Sequence, residues 1–466
     1  VGLWALDGLV TATQDSEGTG RLFDTALDPA MLLYALALAL ATGLLFGAYP
    51  AWSAARASTA GALKEDSGQA SASRAGVRMR RGLVTAQVAL SLLLLIPMGL
   101  FLKSLVNLLR TDLGMKTSNV MTFILSPELN GYSFEGARQF FTQAEENLAA
   151  VPGFQAVTTA LVPLLAGASW GTDLHVEGFP KGENVDNNSR LNHAGPGFFS
   201  KMGIPLIAGR EFTDADTMAS PKVAVVNEAW VEHFAKGRNP LGLRFSATGP
   251  DNLDITVVGV VKNSKYNSVR SEPVRLFFQP YRQMEQTGRL AFYVHSALPE
   301  EQTAAQIRRV ISEMDPDLPV EMLETFASRI NGNIRGDRIT LQLASAFALL
   351  ATLLSMLGLY GVVAFGVARR TREIGIRMAM GAGSGAIRGM VFAEVALILL
   401  TGGALGVPGA LALARLAQSQ LYGVQANDPV VISGAVAALI AAAAVASWIP
   451  ARKAARINPV EALRYE

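Results

Sequence analysis

The fourteen residues from Arg369 to Ala382 hold the chain's densest cluster of chemistry: Arg369-Arg370-Thr371-Arg372-Glu373-Ile374-Gly375-Ile376-Arg377-Met378-Ala379-Met380-Gly381-Ala382. At helical spacing Ile374, Met378 and Gly381/Ala382 share one face, and Arg370, Glu373 and Arg377 share another. Such a helix binds; it does not catalyse. It either lies on lipid headgroups or docks into a partner protein, and spacing alone leaves both open. Catalytic alternatives fail elsewhere in the chain. Gly167-Ala168-Ser169-Trp170-Gly171 has the G-x-S-x-G spacing, but the following Thr172–Gly178 alternates like a strand where a nucleophile elbow needs a helix. His175, His193, His233 and His295 show no ligand spacing, and Asp214/Asp216 and Asp251/Asp254 read as turn residues. Cysteine is absent, which excludes disulfides, thiolate metal sites and a cysteine nucleophile. No G-x-x-x-x-G-K-[ST] occurs, so the chain carries no phosphate-cradling loop of its own. The expectation is a protein without catalytic, cofactor or metal residues.

The elements that must position the basic helix are apolar. Half of the 466 residues are hydrophobic and mean hydropathy is +0.29, but the charges are unevenly spread. They nearly vanish from 30–50, 83–104, 339–368, 389–414 and 430–450, each long enough for the roughly 20 residues that span a bilayer. Between them, 51–82 carries six Lys/Arg against two acids, 367–388 five against one, and 451–466 four against two. Residues 1–29 carry one Arg against five acids, and 105–337 carry 21 basic against 26 acidic residues. The positive-inside bias makes the first group cytoplasmic and the second external, and all five spans alternate consistently.

Residues 1–29 read as an external loop, and the Ser/Gly/Ala-rich stretch 66–78 as a flexible linker within the cytoplasmic segment 51–82. Residues 105–337 are long enough to bury a core and read as mixed α and β. Strands are expected at Val120–Ser126, Val223–Val226, Ile255–Val261 and Ala291–His295. Helices are expected at Ser133–Ala150, ended by Pro152-Gly153, and at Glu300–Met314, ended by Asp315-Pro316. A Gly/Pro/Asn-rich middle, about 175–260, reads as an inserted subdomain. The apolar run 339–368 exceeds what a bilayer requires. The fold class is therefore an α-helical membrane protein with five spans and a large α+β extracytoplasmic domain of two subdomains.

Glu394 lies about two turns into its span, where a charge costs on the order of 3 kcal/mol at the helix centre and marks a functional candidate. Its closeness to the cytoplasmic end favours a paired or hydrated interfacial carboxyl. Gly402, Gly403, Gly406 and Gly409 have small-xxx-small spacing, which permits close helix contact.

A repeat frames the whole chain. Pro50-Ala51, Ala54-Ala55-Arg56 and Ala62-Leu63-Lys64 recur 400 positions later as Pro450-Ala451, Ala454-Ala455-Arg456 and Ala462-Leu463-Arg464. The match extends back to Asp28-Pro29 and Asp428-Pro429. A spacing without gaps means that one membrane unit was written twice.

The run R-R-T-R-E-I-G-I-R-M-A-M-G-A, the Glu-bearing Gly-rich span after it and the tail P-A-R-K-A-A-R-I-N-P-V-E-A-L-R resemble the C-terminal module (338–466) of FtsX/MacB-type ABC transporter permeases. R-R-G-L-V-T-A-Q-V-A-L-S-L-L-L-L and V-P-G-F resemble the start of that unit, and 105–337 resembles a MacB-like periplasmic core. Two units in one chain resemble duplicated orphan permeases. The resemblance implies a multi-pass protein of the bacterial inner membrane, in which Arg372, Glu373, Ile374, Gly375, Arg377 and Met378 couple to a separate ABC ATPase that binds the ATP. It implies a second permease unit, covalent or as a homodimer, and a periplasmic membrane-fusion protein as a further partner. The lipid bilayer is the surrounding medium, and nucleic acid is no partner. Mechanotransmission for export or efflux is the function implied; FtsX-like signalling to an extracytoplasmic enzyme and lipoprotein export are the alternatives. Gly383-Ser384-Gly385-Ala386 departs from the family, which carries basic residues there. That departure weakens docking or delays the following span. With one coupling helix, the chain is expected to need a second unit for a working assembly.

Overall fold

The computed structural model describes residues 29–30, 32–37, 39–41, 43–44, 69–180, 182, 185–249 and 252–456. The loop 1–28, the first repeat copy at 50–65 and the tail end 457–466 lie outside the described residues. The expected span 30–50 lies only partly within them, and its described residues are helical. The chain divides into two compact units. One holds 1–101, 339–419 and 425–466; the other holds 102–338 and 420–424.

The second unit is built on one sheet. Its strands are β1 (Val120–Leu125), β2 (Phe154–Ala160), β3 (Trp170–Asp173), β4 (His175–Val176), β5 (Asn188–Ala194), β6 (Leu206–Gly209), β7 (Val223–Asn227), β8 (Arg244–Ser246), β9 (Ile255–Val261), β10 (Leu276–Pro280), β11 (Leu290–Ser296) and β12 (Glu321–Thr325). Their order is β12-β1-β11-β2-β5-β10-β7-β9-β8-β4, with β3 on β5 and β6 on β9. Most pairs are antiparallel; β5–β10 and β7–β9 are parallel. β1 and β11 pair in register from Val120↔His295 to Leu125↔Leu290. Every residue of both strands is buried. The two-residue period explains why. Phe123, Leu125, Phe292 and Val294 enter one core with Phe141, Leu148, Ile307 and Ile311, while Ile124, Ala291 and Tyr293 enter a second with Phe198, Phe199 and Phe326. Phe123 and Phe292 stack at 5.1 Å between centroids.

Two helices cover the first core. Gln69–Leu109 being α1, these are α2 (Phe134–Ala149) and α3 (Glu300–Met314). Ser133 caps α2 by accepting from the Gly136 N–H at 3.1 Å. Residues 175–260 have a core of their own around Trp230, Phe234 and Phe245, but their strands belong to the common sheet. The strands of the expected inserted subdomain therefore continue one sheet with the flanking halves. The G-x-S-x-G stretch runs into β3 and not into a helix. α1 begins at Gln69, so the part of the expected linker from residue 69 onward is helical.

In the first unit, α1 packs with α5 (Arg335–Arg369), α7 (Ser384–Leu416) and α8 (Pro429–Ala454); α4 (Phe326–Asn333) precedes α5 in the sheet unit, and α6 (Thr371–Ala379) joins α5 to α7. Among the described residues, four helices are long and apolar enough to cross a membrane: Arg78–Leu109 of α1, α5, α7 and α8. Leu349, Leu350, Leu353, Leu354 and Leu357 of α5 and Leu397, Leu400 and Leu405 of α7 are exposed, apolar surface suited to lipid and unsuited to water. At 1.5 Å per residue the 35-residue α5 is roughly 52 Å long, well beyond a hydrocarbon core of about 30 Å.

Contacts fix the helix directions. Arg80 lies 4.2 Å over the Phe365 ring, and Ser91 Oγ donates to the Ala351 carbonyl at 2.9 Å, so α1 and α5 run antiparallel. Gly402 meets Val88 and Gly406 meets Ala89 and Leu92, so α1 and α7 run parallel. Gly99 meets Val431 near the start of α8, which runs back. The four described spans alternate as the charge pattern requires.

Each core in the sheet unit closes on residues of that unit, so a fragment covering 106–336 should unfold cooperatively in urea. His193 is buried, and burial pushes its imidazole down from 6.5 to about 4. Between those values the unfolded chain binds a proton and the folded one does not. Stability is therefore full above about pH 6.5 and falls by about 3 kcal/mol on the way down to about pH 4. Glu145, whose carboxyl burial pushes up, acts in the opposite sense, because the folded state there holds the extra proton. The difference between the parent fragment and His193→Leu isolates the histidine: the parent should lose more stability over this window, and parallel curves would sink the assignment.

Candidate coupling site at the basic helix

α6 is a nine-residue helix, too short to be stable alone. Its order comes from what it touches. Arg370 precedes it, with its carbonyl accepting from the Ile374 N–H at 2.8 Å. Beyond Met380 the chain turns at Gly381, φ +94°, a left-handed conformation that glycine adopts without strain. The Ala382 N–H donates to the Arg377 carbonyl at 2.9 Å and closes that end.

The expected two faces are present. Ile374 is 1% exposed and enters the span core with Val363, Ile387 and Val391, and Gly375 is buried beside it. Met378 and Ala382 pack partly against the same core. On the opposite side Glu373 and Arg377 are exposed and pair at 2.6 Å, an i,i+4 contact. Arg377 also reaches the Met390 sulfur at 3.1 Å. The Arg372 side chain lies outside the described residues.

Sequence reading placed Ile374 and Gly375 among the coupling contacts; the structure turns both into the bundle. It missed Ile376 and Met380, 42% and 76% exposed, which share their side of α6 with the Glu373–Arg377 pair. Their i,i+4 spacing was the available signal. The exposed face thus combines one ion pair with two apolar side chains.

Glu394 is paired. Its carboxylate accepts from Arg81 of α1, and Arg370 stands 3.8 Å away on its other oxygen. One carboxylate in α7 thereby ties α1 to the residue that starts α6. An open cleft of about 440 Å³ lies beside it, walled by α1, α5 and α7.

Two glycines of the stripe have close neighbours. A Cβ at Gly402 would stand 2.5 Å from Val88 Cγ1, and one at Gly406 2.7 Å from the Ala89 carbonyl, whereas Gly403 and Gly409 have room. Close approach therefore depends on Gly402 and Gly406. α7 begins at Ser384, ahead of the expected span start at 389, so the Gly-Ser-Gly departure does not delay the helix.

Four spans and a large mixed α/β domain, with a basic helix packed between two of the spans, define a multi-pass membrane protein of permease architecture. Residues 82–311 match the MacB-like periplasmic core domain and residues 345–459 the FtsX-like permease C-terminal domain. The chain belongs to the FtsX/MacB-type permease family. It is 28% identical over 293 residues to the probable syringafactin export ATP-binding/permease protein SyfD of Pseudomonas syringae pv. tomato, covering 60% of this chain and 42% of that protein. It is 29% identical over 318 residues to the macrolide export ATP-binding/permease protein MacB of Sodalis glossinidius, covering 64% and 46%. With the ABC transporter permease YknZ of Bacillus subtilis the figures are 23% over 290 residues, covering 60% and 71%. The chain spans less than half the length of the two ATP-binding/permease relatives.

If Glu394 holds α1 to the start of α6, Glu394→Gln and Arg81→Gln should each lower the melting temperature of the full chain in detergent. The double variant should lose about 2 kcal/mol less than the sum, because both remove one interaction. Strict additivity would show that the two side chains do not support each other.

Proposed function

We propose that this chain is the permease subunit of a bacterial ABC transporter of the inner membrane, and that it couples a separate ATPase to its extracytoplasmic domain. One observation carries the reading. The apolar face of α6 is already buried in the span core, so what remains exposed is a mixed surface of Glu373, Arg377, Ile376 and Met380. A helix lying on lipid would turn its apolar face outward; this one presents a small charged and apolar patch suited to a protein pocket. ATP is bound by the partner, and this chain supplies no catalytic group.

In the proposed mechanism, closure of the ATPase pushes α6. The push enters α5 through Arg370 and α1 and α7 through Glu394. Mechanotransmission then moves the external domain, and substrate need not pass between the spans. Export is the direction favoured by the names of the two ATP-binding/permease relatives. The assembly includes a second permease unit, covalent or as another copy. Residues 30–50 form a fifth span, 175–260 act as a subdomain, and a periplasmic membrane-fusion protein completes the exporter.

Glu373→Lys in the full chain should leave the thermal melt within about 0.5 kcal/mol, because the residue is exposed. It should weaken co-purification with the ATPase and its stimulation about tenfold by placing like charges across the interface. Wild-type binding and stimulation would remove α6 from the coupling role.

Topology is tested separately, and the absence of cysteine makes single-cysteine labelling clean. On intact spheroplasts an impermeant thiol reagent should modify Ser312→Cys and spare Ser384→Cys; both serines are exposed. The opposite pattern would invert the protein in the membrane.

A further inference from the structure

The cleft beside Glu394 has a composition that coupling alone does not explain. Arg78, Arg80 and Arg81 reach it from α1 and Arg370 from the chain between α5 and α6, while Glu394 is the one carboxylate lining it among the described residues. With Arg369 at the end of α5, five guanidiniums line the cleft against one carboxylate, a formal charge of +4, at the end of a bundle whose outer surface is lipid-facing leucine. Charges of one sign gathered beside a low-dielectric bundle repel strongly unless an anion joins them. Glu394 does not satisfy them. It engages Arg81 and Arg370 only, and Arg81 Nε is buried without a hydrogen-bond partner. Arg78 and Arg80 are exposed at the rim.

The remaining wall is apolar. Val362 and Phe365 of α5 line it, and the Arg80 guanidinium carbon lies 4.2 Å from the centroid of the Phe365 ring. That contact holds the guanidinium in place while leaving its N–H edge free to donate. At about 440 Å³ the cleft is within the range that holds a small ligand.

We infer that this cleft is a binding site for a phosphate-bearing anion, and that an anionic phospholipid headgroup is its occupant. Planar guanidiniums donate in pairs to phosphate oxygens. Basic pockets between spans at the membrane surface suit lipid headgroups, and the Val362–Phe365 wall gives the adjoining glycerol and acyl carbons a surface that free phosphate would not use. A separate, much smaller pocket lined by Val363, Val367 and Ile374 shares Gly366, Arg370 and Glu394 with the cleft, next to where α6 is anchored. Occupancy would therefore stiffen the base of the coupling helix. The inference does not depend on an ATPase partner.

The experiment uses the purified full chain in detergent, with cardiolipin, phosphatidylcholine or inorganic phosphate added, and reads the thermal melt and the lipid retained in native mass spectrometry. Cardiolipin should raise the melt and stay bound, with phosphatidylcholine and phosphate weaker. Arg80→Gln should lower cardiolipin affinity about tenfold, the loss of one charge-assisted fork. Arg80→Lys, which keeps the charge and loses the fork, should fall between. Phe365→Ala should weaken cardiolipin and not phosphate. If inorganic phosphate binds with the same Arg80 dependence and Phe365→Ala changes nothing, the phosphate site stands and the lipid occupant is overturned. If neither probe binds, or if an Arg78→Gln/Arg80→Gln variant with a parental melt retains cardiolipin as the parent does, the site itself is overturned. A loss of ATPase coupling has no bearing on any of these readouts.

Discussion

A carboxylate in an apolar span must find a cation, and Glu394 finds two on different elements. Left unpaired, it would cost several kcal/mol or take up a proton. Paired, it fixes the start of the α1 span, the end of α5 and the first third of α7 relative to one another. The basic helix begins one residue after Arg370. Its position is therefore set by charge at the residue before it and by burial of Ile374 one turn later. Neither restraint suffices alone: the ion pair has no packing partner, and a nine-residue helix has too few hydrogen bonds to persist without both.

That pairing requires close approach, which small residues provide. Glu394, Ile398, Gly402 and Gly406 follow one another at intervals of four, forming a single ridge along α7. The ridge lies on α1, with Gly402 against Val88 and Gly406 against Ala89. Side chains at the two glycines would push α7 away from α1 and draw the Glu394 carboxylate back from Arg81. The glycines and the carboxylate are thus one feature, and the packing stripe serves the ion pair at its end.

The sequence disclosed the parts governed by strong one-dimensional signals. Spans follow from apolar length, and their alternation from charge; contacts between α1, α5, α7 and α8 reproduce that alternation. Strands β1, β7, β9 and β11 and helices α2 and α3 appear where β-branched runs and helical periodicity put them. Three-dimensional information was not legible. Because β1 and β11 are buried on both faces, nothing in their pattern tells which face meets which core. Nor does composition show that the Gly/Pro/Asn-rich middle lends its strands to the common sheet. In α6 the period separated the two faces correctly, but it did not reveal that Ile376 and Met380 accompany the charges outward. The reason is physical: Ile374, Gly375 and, in part, Met378 take the inward side of the helix, and the helical period puts Ile376 and Met380 on the other side with Glu373 and Arg377.

The exposed patch of α6 is small, and under the proposed coupling role its value to a partner would lie in pre-organisation. Binding a flexible segment would cost the entropy of ordering it, on the order of 1 kcal/mol or more per residue. Here the bundle orders the helix in advance through Arg370, Ile374 and the turn at Gly381. Under the coupling role proposed above, a partner would meet Glu373, Ile376, Arg377 and Met380 already in register, and force applied to that patch would pass into the spans through the same anchors. A nine-residue element suited to this task needs a firm base more than a large surface, and the structure supplies the base with one buried isoleucine and one paired carboxylate.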